Sequence, residues 1–301
     1  MNNPIVSLTN LLKQISNKAD LSKHIPTPNF SIFSHPMVNP YPDWVNYLKA
    51  WGEFGTFSDY IIRKVLLNLF SEKTWNARII AEDGWETLRA TMTSKSNLFL
   101  DFPLPDVPEE VLFKFREETE DAIVNFYNPK INWKKSIYEI YKMSCLDKIV
   151  RNDKLEMPRI LKKEIKECIP FFKHIEHWLK FKFTKSKAIY PNPILGNERT
   201  ISADADLFID STIYEIKTVK RPLWYIENEY HQLFGYVSLF EYLKENVSSW
   251  QRPEVEWDSL NTIGFIFPLH LQEVTMDISS WQKDDRLKYL SELLHYARLK
   301  G

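Results

Sequence analysis

The stretch that most limits the fold is Ala203 to Thr218, ADADLFIDSTIYEIKT. Two runs suited to strands flank a turn dipeptide, Asp210-Ser211, whose side chains can bond their own backbone. Thr212 to Thr218 is rich in β-branched residues with Tyr214 added, as strands prefer. A two-residue loop at Asp210-Ser211 fixes the pairing: 209 faces 212, 208 faces 213, 207 faces 214 and 206 faces 215. Alternation along the strands then puts Asp206, Glu215 and Lys217 on one face of the ribbon.

Directly opposed Cβ atoms lie about 4.5–5.5 Å apart, and like charges placed there repel. The neighbours Leu207, Phe208, Ile209, Ile213 and Ile216 are apolar, so two carboxylates are costly here unless something neutralises them. A hard divalent cation does this with oxygen ligands, and Mg²⁺ takes one or two carboxylates together with waters and phosphate oxygens. Lys217 adds a positive charge beside them. Metal, two acids and a lysine on one face suit attack of water on a phosphodiester. The plainer alternative is a surface hairpin carrying a solvated ion-pair cluster.

More of the pattern follows downstream. The segment from about Ile226 to Asn246 reads as a helix, on which Gln232 and Tyr236 stand at i and i+4 and share a face. Asn192-Pro193 lies upstream. The string Asp206, Glu215-Ile216-Lys217, Gln232-x-x-x-Tyr236 resembles the PD-(D/E)XK nuclease superfamily in its RecB-like branch. It departs from that pattern in that Ala205, not proline, precedes Asp206, and that Asp204 adds an acid on the opposite face.

The resemblance implies an α/β fold: a restriction-endonuclease-like mixed sheet flanked by helices, built in the order strand, strand, helix, strand. It implies a Mg²⁺-dependent (or Mn²⁺-dependent) nuclease that hydrolyses phosphodiester bonds, of DNA rather than RNA, in repair or in defence against foreign DNA. Asp206, Glu215 and the carbonyl of Ile216 would hold the metal. Lys217 would assist the attacking water, and Gln232 and Tyr236 would orient the site or the substrate. The string Gly55 to Tyr60 resembles a helix opening that can add a metal ligand, here Asp59. The alternative for Asp59, the preferred one, is a first-turn acid at the helix dipole or the i+4 partner of Arg63. Glu139 is an alternative extra ligand, or an exposed glutamate. The competing functional reading is a nuclease-fold protein without catalysis, which binds nucleic acid or acts as a scaffold.

Charge limits where nucleic acid can bind. The net charge is -1 with a pI near 6.7, so no global basic field exists and any such surface must be a local patch. Residues 159–187 hold the best one: Lys180, Lys182, Lys185 and Lys187 follow Lys162, Lys163, Lys166 and Lys173, with Trp178, Phe181, Phe183 and Tyr190 interleaved. Lysines supply phosphate affinity and aromatics stack on bases. The alternative is a strand with Phe181 and Phe183 inward and Lys180 and Lys182 outward. Lys220 and Arg221 emerge from the end of the candidate catalytic strand. His174 and His177 have no third ligand nearby and read as non-metal residues.

The remaining organisation is helical. Residues 1–40 read as an irregular arm with one short helix near Leu8 to Ile15, packing late on the body. Residues 41–190 read as a helical portion packed on the core. Within it the expectations are a break at Gly52 to Gly55, a helix from Thr56 to Leu69, breaks at Gly84 and Pro103 to Pro108, and one long helix from Asn132 to Val150. Residues 191–301 form the candidate nuclease core, with a strand at Thr262 to Phe267 and a closing helix from Asp284 to Leu299. Two cysteines, Cys145 and Cys168, make neither a disulfide framework nor a zinc ribbon. The N-terminus lacks the pattern of a signal peptide, and no apolar run reaches the eighteen or so residues needed to span a bilayer. The expectation is a cytoplasmic protein with no membrane partner. No G-x-x-x-x-G-K-[ST] loop occurs, so a motor would have to come from a partner ATPase or helicase that the sequence does not identify.

Overall fold

The turn at Asp210-Ser211 forms as its residues dictate. Asp210 adopts the left-handed region, at φ 53°, which Asp tolerates better than most residues. Its Oδ1 accepts hydrogen bonds from the amides of Lys187 (2.7 Å) and Ala188 (3.1 Å), tying the turn to the strand that enters the sheet. The flanking strands take the register set by that turn, with Ile209 opposite Thr212, Phe208 opposite Ile213 and Leu207 opposite Tyr214.

The computed structural model describes residues 7–15, 18–33, 40–74, 79–93, 104–152, 154–195, 201, 203–246 and 260–300. The chain divides into two units, one of Met1–Met37 with Ser186–Gly301 and one of Val38–Lys185. The first opens with α1 (Leu8–Gln14), α2 (Ala19–Ser22) and β1 (Ser31–Phe33). The second holds α3 (Trp44–Tyr47), α4 (Trp51–Phe70), α5 (Ile80–Thr93), α6 (Glu109–Tyr127), α7 (Ile137–Ser144), α8 (Asp147–Asn152), α9 (Lys162–Lys166) and α10 (Ile169–Phe183). The chain returns to the first unit with β2 (Ile189–Pro191), β3 (Leu207–Ile209), β4 (Thr212–Ile216), α11 (Pro222–Asn246), β5 (Thr262–Phe267), β6 (Gln272–Asp277) and α12 (Lys283–Lys300).

The first unit is a mixed α/β structure. Its six strands run in the order β1-β6-β5-β4-β3-β2. β4 and β5 are parallel, and the other neighbours are antiparallel. A parallel pair needs a long crossover, and α11 supplies it. Phe208, Ile213, Ile263, Phe265, Val274 and Met276 join Leu233, Val237 and Phe240 of α11 in one buried core. Phe208 stacks on Phe240 with ring centroids 6.1 Å apart, and Trp281 meets Phe234 edge-on at 5.0 Å. β1, β2 and β6 go beyond the strands expected from sequence; two of them have only three residues, too few to show a period.

The N-terminal segment contributes a helix to the core of the first unit. Ser7 caps α1 by accepting from the Asn10 amide at 3.3 Å. Leu8, Leu11, Leu12 and Ile15 then form a stripe at i, i+3, i+4 and i+7, all of it inside the core. α1 lies close against α11: a Cβ on Gly235 would stand 2.7 Å from Leu8 Cδ2, so that position admits glycine alone without movement.

In the second unit the glycines do not act as breaks. α4 runs unbroken for 20 residues through Gly52 and Gly55, burying Phe54, Phe57, Ile61 and Val65. α5 runs through Gly84, where a Cβ would collide with the carbonyl oxygen of Leu146. Gly84 is there for close approach. The expected long helix from Asn132 starts later and is two shorter ones: Asn132 Oδ1 accepts from the Lys134 amide at 2.9 Å and holds a turn before α7, and the Cys145 and Leu146 amides bond the carbonyls of Lys142 and Met143, i−3 bonds that separate α7 from α8. Residues 180–183 belong to the helix α10, so the strand reading with alternating sides is set aside.

Candidate active site

Asp206 and Glu215 stand one ladder step beyond the Leu207–Tyr214 pair, at the end of β4. β3 starts only at Leu207, so the amide of Ile216 is not paired within that strand. Asp206 Oδ2 accepts from it at 2.7 Å. The backbone of Asp206 is held from the other side, where its carbonyl accepts from the Asn192 amide at 2.9 Å. The half-buried carboxylate therefore points along the end of β4, on the face that Glu215 occupies.

Glu215 is 3% exposed and gripped by donors. Its Oε1 accepts from Gln232 Nε2 at 2.9 Å and pairs with Lys217 Nζ, and its Oε2 accepts from the Tyr236 hydroxyl at 2.9 Å. Gln232 and Tyr236 also meet each other, Nε2 to hydroxyl at 2.5 Å. An ionised carboxylate only accepts, so the glutamine must aim its nitrogen at it. Gln232 Nε2 is shared further with Thr9 Oγ1 at 3.1 Å, a residue 223 positions earlier. α1 thus braces the site through Thr9, which no local pattern in the sequence marks.

Burial raises Glu215, with the negative charge of Asp206 adding to it and the Lys217 ammonium and its hydrogen bonds opposing; the carboxyl is pushed up to about 6. Burial works in the other direction on Lys217, but the charges of Glu215, Tyr225 and Asp206 outweigh it and hold the amine above its ordinary range. Its side chain is 27% exposed, so it reaches both the buried carboxylate and solvent. Lys217 Nζ also stands 5.8 Å from the ring centroid of Tyr225, in the first turn of α11. Tyr225 lies edge-on to Phe265 at 5.7 Å, which fixes that ring against the sheet.

The oxygens this cluster would offer a cation are the Asp206 carboxylate and the lone pair of Glu215 Oε2 left by Tyr236, with the Ile216 carbonyl next to Glu215 in the chain. Among the described residues no group of three or more His, Cys, Asp or Glu side chains comes together as a metal-binding cluster. A pair of carboxylates with a main-chain oxygen fits a cation that keeps several waters, as Mg²⁺ does.

The other sequence-derived residues fall elsewhere. Asp59 lies on α4 in the Val38–Lys185 unit, where Arg63 donates Nε to its Oδ1 (3.0 Å) and Nη2 to its Oδ2 (2.6 Å). This is the i+4 ion pair of the partner reading, with both carboxylate oxygens accepting. Glu139 pairs loosely with Lys162 at 3.7 Å. Lys180 and Lys185 are exposed and Lys182 half-buried in the same unit; Lys187 is exposed beside β2. Of the interleaved aromatics, Trp178, Phe183 and Tyr190 are buried, and Phe181 alone is open, at 80%. Lys220 and Arg221 are exposed on the loop from β4 to α11, which His270 anchors through Nε2 and the Val219 carbonyl at 3.1 Å. Glu198 and Arg199 lie outside the described residues.

Among the described residues no helix is long and apolar enough to cross a membrane. No protein-family model matches this chain, and neither a curated protein nor a solved structure matches it.

Proposed function

We propose that the chain is a metal-dependent nuclease that hydrolyses phosphodiester bonds, with DNA as the favoured substrate. The observation that carries the reading is the buried Glu215, held by Lys217, Gln232 and Tyr236, with Asp206 beside it on the same sheet face. Two acids, an amine and an oriented amide–phenol pair converge there.

Asp206, Glu215 and the Ile216 carbonyl would hold Mg²⁺ or Mn²⁺. When bound, such a cation supplies a water of lowered pKa and offsets charge on the phosphate. Asp206 is kept in place by the Ile216 amide, so its orientation does not depend on the substrate. Gln232 and Tyr236 lock the Glu215 carboxylate in one rotamer and cost no reorganisation during reaction. Lys217 keeps its proton, so its part is to donate a hydrogen bond to the attacking water or to a phosphate oxygen. It does not act as the base.

A second reading keeps the fold without the chemistry: the Lys217 ammonium already offsets Glu215, so the cluster can persist with no cation. The two separate on cleavage. Wild type and Lys217→Ala are incubated with circular and linear DNA and RNA, in Mg²⁺ or in EDTA. Mg²⁺-dependent products from wild type that Lys217→Ala reduces by two or more orders of magnitude support the nuclease. Equal products from both proteins overturn it.

A further inference from the structure

Beyond the charged cluster, the start of α11 carries two large apolar side chains in solvent. Leu223 is 59% and Trp224 57% exposed. They follow Lys220 and Arg221, both exposed, after the intervening Pro222, and precede Tyr225, which the same turn of helix directs back onto Lys217. The first turn of α11 therefore carries an exposed indole one residue before the ring that meets Lys217. Asn228 Nδ2 donates to the Trp224 carbonyl at 2.6 Å and ties that turn to the next.

A singly exposed apolar residue is ordinary; here two stand together, one of them an indole, close in the chain to two exposed cations. The cations of the adjoining loop say what kind of ligand: Lys220 and Arg221 suit an anionic chain. The ring says which form of it. Bases in a duplex have both faces covered by their neighbours, whereas an unpaired base offers a face for stacking. The footprint is also small, since Glu227 is exposed on the next turn and ends the positive stretch. A duplex would need cations spread over a wider surface.

We infer that Trp224, with Leu223 beside it in the chain and Lys220 and Arg221 on the phosphates, is a stacking platform that admits an unpaired strand to the Asp206–Glu215–Lys217 site. The inference rests on the nuclease reading above and adds the substrate class: single-stranded or frayed nucleic acid.

The test uses the full chain in EDTA, so that nothing is cleaved. A fluorescein-labelled 20-nucleotide DNA of mixed sequence is titrated as a single strand and as a blunt duplex, read by anisotropy. Stacking is worth about 1–3 kcal/mol per base, so Trp224→Ala should weaken single-strand binding about tenfold and leave duplex binding within about twofold. Trp224→Phe should recover most of the loss. Replacing Lys220 and Arg221 together with Ala should lower the slope of log K against log salt by about 1.4, at about 0.7 for each single-strand phosphate that is no longer neutralised. Circular dichroism checks that each variant is folded. Unchanged single-strand affinity in Trp224→Ala overturns the platform, as does equal loss on both probes. A protein partner docking on Leu223 and Trp224 would give the first of these results. Failure here is distinct from failure of the nuclease reading: that reading falls if Lys217→Ala cleaves like wild type, whatever Trp224→Ala binds.

Discussion

Removing the Lys217 charge should destabilise the protein in a strongly pH-dependent way. Lys217→Met keeps the stem and deletes the ammonium that pairs with Glu215 Oε1. Breaking a buried ion pair by removing one partner costs about 3–5 kcal/mol. The Lys217 side chain is 27% exposed, so solvent takes up part of this and about 2–3 kcal/mol remains. That cost exists only while Glu215 is ionised. Its carboxyl titrates at about 6 in the folded protein against 4.5 for an ordinary glutamate. A raised carboxyl favours folding below 4.5, and that advantage is lost as pH rises through 6. Deleting the ammonium raises the group further, by about 1.5–2 pKa units if each unit is worth about 1.36 kcal/mol. Urea unfolding in EDTA should show Lys217→Met nearly as stable as wild type at pH 5 and about 2–3 kcal/mol weaker at pH 8. Glu215→Gln added to it should restore most of the loss, since no buried charge then remains. An identical cost at both pH values would refute the electrostatic account of the pair.

Three further outcomes follow from packing and burial. Gly264→Ala brings a Cβ within 2.8 Å of the Tyr214 ring and 3.0 Å of the Val274 carbonyl, so it should cost about 1–3 kcal/mol in thermal unfolding. It should also disturb the Tyr214–Glu273 hydrogen bond of 2.5 Å, visible as a change in near-ultraviolet circular dichroism. Gly84→Ala runs into the Leu146 backbone and should be severe, while Gly52→Ala enters open space and should stabilise α4 by up to about 1 kcal/mol, both read by thermal unfolding. His231 is buried against Tyr289 and its imidazole is pulled down by burial to about 4, from 6.5. The unfolded chain then binds the proton first, so stability is lost as pH falls from 6.5 to 4, by about 3 kcal/mol (2.5 units at about 1.36 each). This runs opposite to the Glu215 contribution, and His231→Gln should flatten the acid limb of the stability profile measured by urea titration.

The hairpin was legible because turn chemistry and alternation are local. Asp210-Ser211 set the register, and the register set which side chains share a face. The i, i+4 spacing on α11 puts Gln232 and Tyr236 on one face for the same reason, but that this face meets Glu215 is a tertiary contact that only the resemblance implied; β5 showed as a plain apolar run. What escaped depends on contacts distant in sequence. Thr9 reaches Gln232 only because Gly235 lets α1 lie against α11, and nothing near Thr9 signals that. Asp206 bonds the Ile216 amide only because β3 starts one residue later, and strand ends are the least local feature of a sheet. Gly52, Gly55 and Gly84 looked like helix breaks on propensity, but the buried stripe of α4 and the approach of Leu146 to α5 outweigh about 1 kcal/mol per glycine. Lys180 to Phe183 fits a strand over four residues and a helix over fifteen; the longer apolar pattern, with Phe171, Phe172, Ile175 and Leu179 buried, prevails.

Cation binding tests the site most directly. Mn²⁺ is titrated into wild type, Asp206→Asn and Glu215→Gln by isothermal calorimetry at pH 7.5, each variant first shown to be folded. Wild type should bind with a single saturable site, and each substitution should weaken that site tenfold or more. No saturable binding to wild type, or equal binding by all three proteins, would contradict a cation held between these two acids.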